Sequence, residues 1–158
     1  MKITQGNKRI VLLVANYAIK IGKIRLIRLM SRVLLLPFSK KLRIRFLDKY
    51  GGTWKKALLN DTFAGLYCNR HEYSYYSEYK DQRVMPTIKL IANGFIIVQI
   101  RGVEVSDQII KTAHPEYRSS LYKKANLDAT EQYCIDDNGK VKILDYGDIA
   151  TTAFLQSI

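Results

Sequence analysis

From Lys8 to Leu36 the chain runs without a proline, and apolar residues recur at the three- and four-residue intervals of an amphipathic helix. At about 100° per residue, Leu12, Ala15, Ile19, Leu26, Leu29, Met30 and Val33 share one face. Lys20, Arg25, Arg28 and Arg32 share the opposite arc, with Ile24 and Ile27 intruding on it. Pro37 marks the stop, because proline cannot continue the helical hydrogen-bond ladder. The pattern predicts a basic amphipathic helix over 8–36. From Lys40 to Phe46 basic and apolar residues alternate, which suits a strand or a second basic helix equally.

The remainder has a different texture. Asn69 to Asp81 is polar, with Tyr73, Tyr76 and Tyr79 at helical separations, and predicts a helix whose rings face the core. After Pro86, the β-rich runs Thr87–Ala92 and Phe95–Ile100 flank Asn93-Gly94, a strong hairpin signal, and Gly102 closes it. Asp107–Ala113 and Tyr117–Asn126 read as helical around Pro115. A second hairpin joins Tyr133–Ile135 to Lys140–Leu144 through Asp136–Gly139, and Asp145-Tyr146-Gly147 follows. Helices and hairpins in this order make an α+β chain.

Charge divides the chain more sharply than composition does. Residues 1–56 carry 15 basic side chains against one acid, Asp48, a net of +14, whereas residues 57–158 carry 11 basic and 13 acidic, a net of −2. The expected division is therefore a basic helical segment over 1–50 and an α+β domain over 51–158. Three readings compete for the basic face: docking on an anionic membrane surface, contact with nucleic-acid phosphates, or packing on its own domain with the charges merely solvated. Nucleic acid ranks below the membrane, because only Tyr17, Phe38 and Phe46 stand among the charges as stacking rings.

Several function classes drop out. Cys68 and Cys134 lie 66 positions apart without metal-spaced neighbours, which argues against a disulfide scaffold or zinc module. His71 and His114 are isolated in sequence and lend no support to a nucleophilic triad. The apolar run Ile10–Ile19 ends in Lys20-Ile21-Gly22-Lys23 with no small-residue cleavage pattern, and charges arrive too soon for a span of ~20 apolar residues. The expected location is cytoplasmic, peripheral on the inner face of the membrane.

The order of elements over residues 53–150 resembles the protein-kinase-like superfamily, in particular small bacterial kinases acting on sugars and lipopolysaccharide. Glu72 in Asn-Arg-His-Glu-Tyr resembles the family's helix glutamate, and Met85 to Gln99 its next two strands. Ile100-Arg-Gly-Val-Glu-Val looks like the hinge, and Ile135 to Gly147 like the hairpin ending in a metal-binding aspartate, Asp145. The resemblance implies a minimal or truncated kinase-like fold using ATP and Mg²⁺. Lys55 or Lys56, which precede Glu72 by 17 or 16 residues, would hold the phosphates, and Asp128 would be the base. Gln99 and Gly102 would be further cofactor-binding positions. The acceptor would be a lipid-linked sugar or a protein hydroxyl.

The pattern departs from the family in four places. Gly51-Gly52 is too little for a phosphate loop, and no His-x-Asp triplet surrounds Asp128. Tyr133 stands where the metal-binding asparagine is expected, and 11 residues follow Gly147 where the family continues. The alternative is a non-catalytic scaffold that binds membrane, protein or nucleic acid through its basic surface.

Overall fold

The structure, a computed structural model, describes residues 2–35, 38–41, 43–44, 47 and 53–158. The expected stop at Pro37, part of the stretch Lys40–Phe46 and the pair Gly51-Gly52 lie outside the described residues. Of that basic stretch, Lys40, Lys41, Arg43 and Ile44 are described and are helical.

The chain opens with three strands, β1 (Lys2–Gln5), β2 (Arg9–Val14) and β3 (Tyr17–Gly22). The expected helix over 8–36 is therefore corrected: only its last part is helical, as α1 (Leu26–Leu35). Ala15-Asn16 reverses the chain, with Ala15 in the left-handed region at φ 48°, and Val14 faces Tyr17 across the turn. The β-branched run Ile10-Val11 and the alternation Ala18-Ile19-Lys20 then suit a pleated surface. Ala18, Lys20 and Gly22 are buried, and the residues between them are more open.

Next come α2 (Trp54–Thr62), capped by the Thr53 side chain, and α3 (Ala64–Tyr79), which ends on Lys80 at φ 48°. Residues 69–81 are helical nearly as expected, but the fully inward ring is Tyr75, while Tyr79 lies on the surface. The first predicted hairpin forms as β4 (Thr87–Ile91) and β5 (Ile96–Ile100), joined by the 3₁₀ turn Ala92–Gly94. One sheet runs in the order β1-β2-β3-β5-β4, every pairing antiparallel. The expected boundary at residue 50 cuts this sheet, because β3 pairs with β5.

A second sheet is built from β6 (Val103–Glu104), β7 (Tyr133–Ile135) and β8 (Val141–Ile143), the last two forming the other predicted hairpin. Its turn is held by Asp136 Oδ1, which accepts from the backbone N–H of Asn138 and of Lys140. Helix α4 (Asp107–Ala113) matches expectation, whereas Tyr117–Asn126 is helical only over α5 (Ser120–Lys124). A final helix, α6 (Ile149–Ser157), is capped by Asp148 and was not signalled by periodicity. The main core joins α3, β8, α4 and α6 through Tyr75, Ile110, Leu127, Ile143, Tyr146 and Leu155. The fold class is mixed α+β with antiparallel sheets.

Candidate functional site

A cavity of about 890 Å³ lies where the five-stranded sheet overhangs the β6-β7-β8 sheet. Val11, Leu13 and Ala18 form its apolar roof and Tyr133 and Cys134 part of its floor, while Lys8, Arg9, Lys20, Asp145 and Asp148 line its charged end. The β1–β2 turn that covers it is pinned from behind: Arg25 donates to the carbonyl of Asn7 at 2.9 Å and to Asp61 Oδ1 at 3.1 Å.

The charged end is assembled from four elements. Strand alternation turns Lys20 inward, where Nζ donates to Glu72 Oε1 at 2.6 Å and to the carbonyl of Leu144 at 2.7 Å. Arg9, the first residue of β2, donates through Nη1 to the other Glu72 oxygen at 2.7 Å and to Asn69 Oδ1 at 3.2 Å. Its Nη2 donates to Asp145 Oδ1. Asn69, one turn before Glu72, donates to the carbonyls of Lys20 and Gly94 and so ties α3 to the sheet. At the rim Lys8 and Asp148 pair at 3.3 Å. Three cations thus face three carboxylates.

Glu72 has no exposed surface, and the Arg9 and Lys20 side chains are 8% and 6% exposed. Burial pulls the Lys20 ammonium below its ordinary value, with Glu72 resisting. Arg9 moves the other way: burial opposes its charge, but Asp145 and Glu72 together raise it. Burial likewise acts to raise the Asp145 carboxyl, yet Arg9, then Lys20 and Lys8, hold it down at about 2. Its side chain is 53% exposed, so this carboxylate faces the cleft while remaining under the cations.

Asp145 is held there by its successors. The Tyr146 hydroxyl, fully buried, donates to the carbonyl of Met85 at 2.8 Å and meets Thr87 Oγ1 at 2.6 Å. Gly147 permits close passage by α3, since a Cβ there would stand 2.4 Å from the carbonyl of Cys68. The half-buried Cys68 thiol is pushed up by burial, with Lys8 and Arg9 pulling against it. Burial raises the thiol of Cys134, in the floor, to about 12.

The structure brings together Glu72, Asp145, Gln99 and Gly102 of the expected positions. Gln99 is fully buried and braces the carbonyls of Met85 and Leu144 at 3.2 and 3.1 Å. Gly102 lets the chain between β5 and β6 pass close to β7, for a Cβ there would meet Cys134 Sγ at 2.4 Å. Lys55 and Lys56 are corrected: both are exposed in the first turn of α2, outside the cleft lining, and Lys20 meets Glu72 instead. Asp128 is half-buried after α5 and is not among the cleft-lining residues, although Asn126 and Thr130 are. Arg9 and Lys20 were read as part of a helix. For Lys20 the signal is a lone cation inside the short run Ala18-Ile19-Lys20-Ile21, which on a strand must point at a partner; Arg9, beside Lys8 at the head of a continuous apolar run, carries no such signal.

The donor set does not fit a divalent ion. At phosphate sites Mg²⁺ keeps several waters and takes one or two carboxylates besides the phosphate oxygens, in octahedral array. Asp145 already accepts from a guanidinium, Asp148 is paired with Lys8, and the Tyr133 hydroxyl is spent on the carbonyl of Leu127 at 2.7 Å. Among the described residues no group of three or more His, Cys, Asp or Glu is placed to hold a metal. The cleft thus runs from an apolar roof to an end where three cations are paired with three carboxylates. The chain matches no family model, no curated protein and no solved structure.

Proposed function

We propose that the protein is a kinase-like nucleotide-binding protein, resembling the small bacterial sugar and lipopolysaccharide kinases, with the nucleotide's phosphates held at Lys20, Arg9 and Lys8. The observation that carries this reading is the buried Lys20–Glu72 pair, 2.6 Å long, beside Asp145 at the end of the cleft. Protein kinases use a strand lysine paired with a helix glutamate to seat the phosphates; Ala18-Ile19-Lys20 on β3 resembles the lysine motif, and Asp145-Tyr146-Gly147 after β8 resembles the metal-binding one with tyrosine in place of its phenylalanine. Phosphoryl transfer to a sugar-lipid or protein hydroxyl would also need a base at the cleft, and Asp128 is not in its lining. The reading therefore rests on binding, with transfer weak or lost.

Thermal unfolding with millimolar ATP tests it, by the mass-action stabilisation of a folded state that binds ligand. ATP at ten times its dissociation constant should stabilise the chain by roughly 1.4 kcal/mol. Lys20→Met should abolish the shift, and a Lys55→Ala/Lys56→Ala double variant should keep it. Absence of any shift, with or without magnesium, overturns the reading in favour of a scaffold without nucleotide.

We further propose that α1 seats this cleft at an anionic membrane surface. Ile27, Met30, Leu34 and Phe38 form an outward stripe, 88%, 62%, 63% and 88% exposed, while Leu29 turns inward against Ala57 and Leu58. Exposed Arg28, Lys40, Lys41 and Arg43 flank it, complementary to acidic lipid headgroups. Among the described residues no helix is long and apolar enough to cross a membrane. The chain should co-sediment with phosphatidylglycerol vesicles but not phosphatidylcholine ones, and Ile27→Glu/Met30→Glu should reduce binding at least tenfold. Retention on RNA with no preference for acidic vesicles would favour the nucleic-acid alternative.

A further inference from the structure

We propose that the cleft takes its nucleotide without a divalent cation, the Arg9 guanidinium standing where a metal ion would bridge Asp145 to the phosphates. This rests on the nucleotide-binding reading above and specifies the form of the ligand: the free polyphosphate anion rather than its magnesium complex.

Arg9 is unlike the other cations of the basic segment. It lies at the start of β2, directly behind the turn that covers the cleft, and it lines the cavity. Its guanidinium touches both carboxylates that define the site, Glu72 on α3 and Asp145 after β8, and is steadied by Asn69 Oδ1. A guanidinium has five N–H donors in a planar fork, and three protein oxygens use only part of that set. Planar bidentate donation to phosphate oxygens is what arginine does best. A permanently charged, nearly buried group therefore spans the position between Asp145 and an incoming phosphate.

A metal ion on Asp145 would have to share that carboxylate with it. Mg²⁺ on Asp145 would lie against a cation of fixed charge that stays anchored beside it by Glu72, an acid it shares with Lys20, while Asp148 is held by Lys8. The ion sheds water reluctantly, and the one carboxylate it would gain besides the phosphate oxygens already accepts from a guanidinium. The phosphates bring their own negative charge, and Lys8, Arg9 and Lys20 can meet it directly. Opening the Lys8–Asp148 pair, which is 43% and 36% exposed, frees the outermost of the three.

Calorimetry on the full chain, with ATP in EDTA and with ATP in excess MgCl₂, decides the matter. The expected result is binding in EDTA at least as tight as in magnesium. Asp145→Asn removes a negative charge from the phosphate site and should tighten ATP in EDTA several-fold, whereas a metal bridge would make the same variant lose magnesium-dependent binding. Arg9→Gln, provided circular dichroism reports the native fold, should weaken ATP in EDTA at least tenfold. Binding that appears only with magnesium overturns the inference and leaves the nucleotide-binding reading standing. Binding in neither buffer overturns both.

Discussion

Glu72→Ala is expected to be the most damaging single substitution in the molecule, lowering stability by about 3–5 kcal/mol. The carboxylate is wholly enclosed and receives Arg9 on one oxygen and Lys20 on the other. Removing it leaves two buried cations with too little negative charge between them. They would not respond alike. Burial already lowers the Lys20 pKa, so that side chain can shed its proton and escape part of the penalty. Arginine cannot do so, and Arg9 would fall back on Asp145 alone. Lys20→Met should therefore cost less than Glu72→Ala, because it leaves Glu72 with Arg9 as partner. Glu72→Gln, which keeps the shape and loses the charge, should fall between them. Urea midpoints at neutral pH give the ranking. A loss below about 1 kcal/mol for Glu72→Ala would mean that the pairs are solvated surface contacts rather than a buried network.

The second large effect is expected at Gly65, where alanine should destabilise although it sits in a helix. In an ordinary helix interior, replacing glycine by alanine helps by about 1 kcal/mol. At Gly65 a Cβ would stand 2.3 Å from the carbonyl of Lys8, 2.7 Å from the amide nitrogen of Lys23 and 2.9 Å from the Cα of Gly22. All three are backbone atoms of the sheet and its flanking chain, so no rotamer change can make room. Helix α3 would have to move outward, and Glu72, two turns further along, would be drawn from Lys20 and Arg9. Over-packing of this kind costs roughly 1–3 kcal/mol or more, enough to reverse the helix preference. Gly65→Ala should also lose nucleotide affinity without touching the cleft. Gly139→Ala is the control: nothing lies within 4 Å, and its φ of 75° makes the cost one of backbone strain alone, about 1 kcal/mol. If Gly65→Ala raises the unfolding midpoint, the close helix–sheet contact is wrong.

Local chemistry made a good part of the fold legible. Asn93-Gly94 between two β-branched runs announced the first hairpin, and Asp136–Gly139 the second, because turn residues and alternation are properties of short stretches. Pro86 and Pro115 flanked β4 and α4, which form near their expected limits. Glu72 and Asp145, each named from a motif whose neighbours are contiguous in sequence, both lie against Arg9.

The amino-terminal third misled for a physical reason. Leu12, Ala15 and Ile19 satisfy a helical period, but two strands joined through Ala15-Asn16 also set Leu12 opposite Ile19 on one side. Short apolar runs do not separate the two periods. What separates them is β5, some 75 residues later, whose exposed edge offers β3 a full ladder of hydrogen bonds. On a helix over 8–36, Lys20 and Arg9 belong to a basic face offered to membrane, nucleic acid or solvent, and Lys55 and Lys56 are matched to Glu72 by sequence separation alone.

Residue order thus carried the turns, the hairpins, the helix bearing Glu72 and the concentration of charge in residues 1–56, all of which depend on neighbours along the chain. Which cation reaches Glu72, and that Arg9 is driven against Asp145, depend on pairings across 52 to 136 residues. Such contacts exist only once a sheet has formed to bury them, because a charge leaves water only where a fixed partner waits for it.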